Sequence, residues 1–132
     1  MASRINIAAR TPWAQVLAYS RAVCHDGHVH VSGTLPVDAQ GVLIGGDDAG
    51  LQARQVLRLM LAALAEAGAG VEDVVRMRIY LRDYADLDAI AAAQFEIFDS
   101  VRPACTVVQV ALPRPDFRVQ MDADAILSKD DF

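Results

Sequence analysis

Two segments with helical apolar periodicity are set among segments in which apolar residues alternate, and this order limits the fold more than any other feature of the chain. From Asp48 to Ala67, apolar residues recur every three or four positions, after an acidic start and before Gly68, as in a capped helix. Asp83 to about Ser100 predicts a second helix, whose expected inward residues are Leu87, Ile90, Ala91, Phe95 and Phe98. Both helices are apolar enough to lie on a sheet.

The remaining periodic segments predict strands. Val74 to Arg82 alternates strictly, with Val75, Met77, Ile79 and Leu81 expected on one face and Arg76, Arg78, Tyr80 and Arg82 on the other. Tyr19 to Val31 predicts a hairpin about Asp26-Gly27, a dipeptide that suits a type I′ turn. Cys105 to Leu112 and Arg118 to Ile126 predict two more strands, and Pro36 to Gly46 a surface connection.

The resulting order is β-β-α-β-α-β-β, with an extra strand expected near Arg4 to Ile7. It predicts an α+β protein with one sheet and two helices on one face. A length of 132 residues fits a single domain over 1–132. The other sheet face is expected to combine arginines, histidines and acids with Val107, Gln109 and Ala111, a mixture that favours burial against another subunit.

Charge and hydropathy exclude several classes of partner. Twelve basic and seventeen acidic residues give a net charge of −5, which weighs against nucleic acid because phosphate binding requires a basic surface. The longest apolar run, Leu59 to Ala65, is far shorter than the ~20 residues of a membrane helix. No apolar signal-peptide stretch follows Met1, so we expect a cytoplasmic protein with no membrane partner. Cys24 and Cys105 match no metal-binding spacing and are expected to be free thiols.

Three groups of polar residues have both a chemical and a structural interpretation. His25, His28 and His30 offer three imidazoles at a hairpin tip, but such a tip is polar simply because it is wet, and we expect no metal. Arg76, Arg78 and Arg82 suit an oxyanion, whereas pairing with the acids of the last strand, Asp122 and Asp124, is favoured. Cys105 is either a nucleophile or, more commonly for a strand cysteine, a small packed residue.

Several short motifs, in their order and spacing from about Trp13 to Ile126, resemble the Rid family, also called the YjgF/YER057c/UK114 or L-PSP endoribonuclease-like family. The motifs are Tyr19-Ser20-Arg21-Ala22-Val23, Val31-Ser32-Gly33-Thr34-Leu35-Pro36, Gln52-Ala53-Arg54-Gln55-Val56-Leu57, Ile79-Tyr80-Leu81-Arg82-Asp83 and Arg102-Pro103-Ala104. The resemblance implies a chorismate-mutase-like fold with one mixed sheet, and a homotrimer in which the sheets form a central barrel with ligand clefts between subunits.

The best-known branch of that family hydrolyses 2-imino and enamine acids without a metal or organic cofactor. Tyr19, Ser32 and Gly33 match its substrate-binding pattern. The arginine that holds the substrate carboxylate is replaced by Cys105, and the glutamate that positions water is replaced by Gln120. A thiol cannot form the charged, bidentate contact that an arginine gives a carboxylate.

The sequence therefore predicts a protein that binds or transforms a small metabolite in intersubunit clefts and is not an efficient imine deaminase. One alternative is a deaminase in which another arginine, such as Arg76, Arg78 or Arg21, holds the carboxylate. Another is a binding module without catalysis. Ribonuclease activity, which one family name implies, is disfavoured by the acidic charge and by the lack of a paired-histidine or histidine–lysine pattern.

Overall fold

The structure, a computed structural model, describes residues 3–128 of the predicted domain; residues 1–2 and 129–132 lie outside the described residues. The described residues contain six strands and three α-helices. These are β1 (Arg4–Ile7), α1 (Ala14–Leu17), β2 (Ala22–His25), β3 (His28–Thr34), α2 (Ala49–Glu66), β4 (Val74–Leu81), α3 (Leu87–Phe98), β5 (Ala104–Gln109) and β6 (Val119–Ile126). The predicted element order is confirmed, and the short α1 is an addition.

All six strands form one mixed sheet in the order β1-β2-β3-β6-β4-β5. Only the pairing of β4 with β5 is parallel; the other neighbours are antiparallel. The predicted hairpin is confirmed, because His25 pairs with His28 and the two turn residues, Asp26 and Gly27, have φ of 50° and 79°. Such left-handed φ values are those of a type I′ turn.

The helices α2 and α3 cover one face of the sheet. The Asp48 carboxylate caps α2 by accepting the Leu51 N–H at 3.0 Å, and the main core fills the space between helices and sheet. Two expectations for this face are wrong in detail. The register of β4 shifts between Val74 and Arg76, so Val74 is buried and Val75 is 45% exposed. In α3, Ala93 is buried in place of Ala91, and Phe95 is 59% exposed.

A second, smaller core lies beyond the end of the sheet. It consists of Leu35, Val37 and Phe117, with Trp13, Leu43 and Leu112 packed around it. The segment 36–46 is therefore more than a surface connection, because Val37 is 2% exposed and pairs with Leu43 in an isolated bridge. This small core forms the wall of the cavity described below.

The open face of the sheet, opposite the helices, is polar. Its side chains include His28, His30, Arg76, Arg78, Tyr80, Gln120, Asp122 and Asp124. The expectation that Val107 and Gln109 lie on this face is wrong, because Val107 packs against the main core and Gln109 pairs with the buried Leu81 on the same side. Thr106 and Val108 take the neighbouring positions beside Arg78 and Tyr80. No helix within residues 3–128 is long and apolar enough to cross a membrane.

Candidate functional site

A cavity of about 480 Å³ opens where the sheet meets the small core. It is mainly apolar, with a few polar groups that converge on it, an arrangement typical of small-molecule sites. Its lining residues are Trp13, Leu17, Tyr19, Ser32, Gly33, Leu35, Pro113, Arg114, Phe117 and Gln120. Of the predicted site residues, Tyr19, Ser32, Gly33 and Gln120 are thus brought together.

An irregularity in β3 presents Ser32 and Gly33 to this cavity. The β3–β6 register shifts between Val31 and Thr34. Here the Ser32 hydroxyl donates to the Ser20 carbonyl at 2.7 Å, and the Thr34 hydroxyl donates to the Ser32 carbonyl at 2.8 Å. These bonds fix the backbone around Gly33, so the shape of this side of the cavity is set by the strand itself.

Gln120 on β6 lies directly against Gly33. A Cβ built on Gly33 would be 2.5 Å from Gln120 Nε2. Only glycine allows this approach without moving the amide, since 2.5 Å is well inside the contact distance of two heavy atoms. Within residues 3–128 the Gln120 amide makes no hydrogen bond to the protein. It is therefore available to a ligand as both donor and acceptor.

Tyr19 enters the cavity from the segment that follows α1. Ala18, the residue before it, adopts a left-handed conformation with φ of 55° and ends the helix. The Tyr19 hydroxyl lies 3.3 Å from the Thr11 hydroxyl, and Thr11 is buried. This contact places the phenol at the cavity wall, where it can donate or accept a hydrogen bond.

Arg114 supplies the cavity with a guanidinium group that the sequence reasoning missed. Its Nη1 donates to the Gly41 carbonyl at 2.9 Å, its Nε donates to Asp116 at 3.2 Å, and its Cζ lies 4.2 Å from the centre of the Phe117 ring. The only sequence signal is an arginine between two prolines, Pro113 and Pro115, after a strand. That signal does not reveal which cavity the arginine reaches.

A buried glutamine of α2 holds the Arg114 loop against the rest of the protein. Gln52 is 0% exposed, and its Nε2 donates to the carbonyls of Gly46 and Asp116 at 2.8 and 3.0 Å. Its Oε1 accepts the Arg118 N–H at 2.8 Å. Three hydrogen bonds to one buried amide make this wall of the cavity a rigid element.

Cys105 lies apart from this cavity within one chain. It is the second residue of the edge strand β5 and pairs with Met77 of β4. Gln120 pairs with Tyr80 from β6, so β4 separates Cys105 from Gln120. The Cys105 thiol is free and exposed. Partial burial raises the pKa of the Cys105 thiol, and the nearby charge of Arg76 partly offsets this effect. A thiol with a raised pKa is a poor nucleophile at neutral pH.

The predicted pairing of Arg76, Arg78 and Arg82 with the acids of β6 is confirmed for Arg78 only; within residues 3–128 neither Arg76 nor Arg82 forms an ion pair. Arg78 donates to Asp122 at 2.8 Å and lies 3.5 Å from Asp124. The hydrogen bond to Asp122 is the main reason that the pKa of Arg78 is raised. Arg76 donates to the Thr106 hydroxyl at 2.8 Å. Neither side chain lines the cavity.

Tyr80 joins the same network, because its hydroxyl donates to the second oxygen of Asp122 at 2.8 Å. Burial, and then this hydrogen bond to a carboxylate, raise the pKa of Tyr80. His30 Nδ1 lies 2.7 Å from Asp124 Oδ1. No group of three or more histidine, cysteine or acidic side chains within residues 3–128 has the geometry of a metal site.

Comparisons with known proteins agree with the resemblance drawn from the motifs. The sequence model of the family described as endoribonuclease L-PSP matches residues 10–127. The chain is 39% identical over 103 residues to the 3-aminoacrylate deaminase RutC of Acinetobacter baylyi, which covers 78% of this chain and 82% of the relative.

Two solved structures show the same fold. One is Rv2704 of Mycobacterium tuberculosis, described as a member of the YjgF/YER057c/UK114 family, with a TM-score of 0.85 and 34% identity over 95% of this chain and 100% of that one. The other is E. coli TdcF with bound serine, with a TM-score of 0.75 and 29% identity over 83% of this chain and 88% of that one.

Proposed function

The chain belongs to the endoribonuclease L-PSP family, the Rid or YjgF/YER057c/UK114 family, and from this we propose that it holds a small metabolite in the cavity lined by Tyr19, Ser32, Gly33 and Gln120. The observation that carries the proposal is the convergence of these four residues on one apolar cavity. The unpartnered Gln120 amide and the Tyr19 hydroxyl fix the orientation of the ligand, and the apolar walls supply most of its contact area.

We further propose that the protein is not an efficient 2-imino-acid deaminase. An amide at position 120 cannot accept a proton from an attacking water, because it has no basic group in the neutral pH range. Cys105 cannot replace an arginine as a carboxylate receptor. A buried charged hydrogen bond typically contributes ~2–5 kcal/mol, which is roughly a thirty-fold to several-thousand-fold change in affinity.

Arg114 supports a second candidate function, a deaminase that holds the substrate carboxylate with a different arginine. The expected substitutes, Arg76, Arg78 and Arg21, do not line this cavity. Arg114 does, with its guanidinium held by Gly41 and Asp116. Arg114 lines the same cavity as Gln120. The relative from Acinetobacter baylyi is named a 3-aminoacrylate deaminase, and that reaction acts on an enamine acid. In this case Arg114 binds the carboxylate and Cys105 takes no part.

We also propose that the protein is a homotrimer whose subunits join through the open face of the sheet. Ligand clefts then lie between subunits, and Cys105 of one chain approaches the cavity of the next. The support is the open face, on which Val108 and Ile126 are exposed among polar groups, together with the free edge of β5 and the separation of Cys105 from Gln120 within one chain. Light scattering is expected to give a mass near three chains; a stable monomer at micromolar concentration would contradict the assembly.

Binding is tested through Trp13, the one tryptophan of the sequence, which lines the cavity. Titration with pyruvate, a 2-keto acid of the kind that the family's deaminases release, is expected to change its fluorescence saturably. Tyr19→Phe and Gln120→Ala are expected to weaken binding, whereas the control Arg54→Met, at an exposed pair with Glu96, leaves it unchanged. A titration that is linear for the unmodified protein speaks against this cavity as the site for a keto acid.

The reaction is tested by generating 2-iminopropionate with an amino-acid oxidase and trapping it with semicarbazide. The unmodified protein is expected not to lower the trapped yield appreciably. Cys105→Arg with Gln120→Glu is expected to restore some activity. A different outcome would favour the second candidate function over the first. In that outcome the unmodified protein is strongly active, Cys105→Ala keeps the activity, and Arg114→Met loses it.

A further inference from the structure

A second cavity lies on the helix-bearing side of the sheet, between the β1–β2 edge and α2. Its volume is about 240 Å³. It shares no lining residue with the larger cavity. The polar residues that line it are Arg10, Thr11, Arg21, Asp38 and Glu66.

Arg21 is the unusual residue of this cavity. Its side chain is partly buried, yet in the part of the chain that the structure describes its guanidinium has neither a hydrogen bond nor an ion pair. Burial lowers the pKa of Arg21, and no carboxylate opposes that effect. For Arg54, Arg78 and Arg118, by contrast, acidic partners raise the pKa. A guanidinium has five N–H donors, and withdrawing them from water without a partner is costly.

Arg10 brings a second guanidinium to the same cavity, and within residues 3–128 it too has no ion pair. Within residues 3–128, neither of the two acids of the lining forms an ion pair with these arginines. One oxygen of Asp38 accepts the N–H groups of Gln40 and Val42 at 2.8 and 3.0 Å, and Glu66 makes no ion pair within the same residues. Because these acids remain near the cavity, they oppose a doubly charged anion more than a singly charged one.

We propose that Arg10 and Arg21 form a binding site for a small monocarboxylate, separate from the metabolite cavity. A planar guanidinium matches the two oxygens of a carboxylate with parallel hydrogen bonds. The volume admits a molecule of a few non-hydrogen atoms, and the apolar wall formed by Leu59, Ala62 and Ala63 suits a short alkyl group. The proposal rests on this cavity alone and does not depend on the function proposed above.

The test is a titration of the ¹⁵N-labelled native protein with sodium acetate, followed by the Nε–Hε signal of Arg21 and the backbone amides of Arg10 and Thr11. Chloride keeps the ionic strength constant, and inorganic phosphate is titrated in parallel. Saturable shifts are expected with acetate in the millimolar range, and weaker binding with phosphate. Arg21→Met is expected to weaken acetate binding about tenfold or more. The exposed Arg54→Met serves as the control with unchanged binding.

Arg21→Met keeps the aliphatic stem of the side chain, and its fold is checked by amide dispersion. Arg21→Lys provides a second variant. Lysine keeps the positive charge but lacks the planar guanidinium, so its affinity for acetate is expected to be intermediate. Linear shifts up to high acetate concentration overturn the proposal. So does saturable binding that is equal in Arg21→Met and the unmodified protein. Tighter binding of phosphate than of acetate overturns the assignment to a monocarboxylate.

Discussion

Replacing Gly33 by alanine tests the geometry of the metabolite cavity directly. The φ of Gly33 is not positive, so alanine fits the backbone and by itself stabilises the folded state by roughly 0.4–1 kcal/mol through the unfolded chain. The added Cβ would lie 2.5 Å from Gln120 Nε2 and 3.3 Å from Gln120 Cδ. The amide must therefore leave its rotamer, at a cost of roughly 0.5–1.5 kcal/mol. The two terms nearly cancel, and the net change in unfolding free energy is expected to stay within about 1 kcal/mol.

The effect on ligand binding is expected to be larger than the effect on stability, because the displaced Gln120 amide leaves the cavity wall. Thermal unfolding measures the stability, and the fluorescence of Trp13 with pyruvate measures binding. For a domain of this size, 1 kcal/mol corresponds to a shift in Tm of roughly 2–8 °C. A large loss of stability with intact binding would contradict this account.

A double-mutant cycle isolates the contact between the two residues. Once Gln120→Ala has removed the amide, Gly33→Ala has nothing to displace and is expected to become stabilising. The coupling free energy is then about 0.5–1.5 kcal/mol, within the range measured for residues in contact. Denaturant unfolding of the four proteins gives this value. Additivity within about 0.3 kcal/mol would refute the close approach of Gly33 and Gln120.

Three further predictions concern other parts of the molecule. Gln52→Leu removes three buried hydrogen bonds and is expected to lower the unfolding free energy by about 3 kcal/mol, at about 1 kcal/mol each; a loss below about 1 kcal/mol in urea unfolding would contradict this. The raised pKa of Cys105 is expected to place the midpoint of its pH profile for alkylation by iodoacetamide, followed by mass spectrometry, above the ordinary thiol value of ~8.5. Arg76→Met removes a charge that lowers this pKa and is expected to move the midpoint further upward; a midpoint below the ordinary value would speak against this account. With a net charge of −5, the protein is expected not to bind a generic RNA at sub-micromolar concentration in physiological salt, and tight binding that weakens steeply with salt would reveal a local basic surface.

The fold was predictable because its signals are local. Helical and alternating periodicities, the Asp26-Gly27 turn and the cap formed by Asp48 each depend on a few neighbouring residues. The errors occur where a local pattern meets a tertiary adjustment. The register shift at Val75 cannot be predicted from the alternation within β4, because it is a feature of the pairing between β4 and β6. The exposure of Phe95 depends likewise on which face α3 turns toward α2 and the sheet.

The candidate site was predictable only in the part that belongs to recognisable motifs. Tyr19, Ser32, Gly33 and Gln120 lie in segments with family-like spacing, and they meet in one cavity. Arg114 was missed because long-range contacts place its loop at the cavity: Arg114 bonds to Gly41, and Gln52, 64 residues from Asp116 in sequence, bonds to the Asp116 carbonyl. A contact of that separation leaves no local pattern.

The sequence by itself determined the order of the elements, the apolar faces that join them and the absence of an arginine and a glutamate at positions 105 and 120. The tertiary structure decided which charges are satisfied. Arg78 lies in β4 and Arg21 directly precedes β2. Arg78 is opposite Asp122 in the strand register, whereas Arg21 lines a cavity without forming an ion pair to any residue in 3–128. Charge pairing depends on the distance between the charged groups in space. Strand order and register set that distance, whereas position along the chain does not.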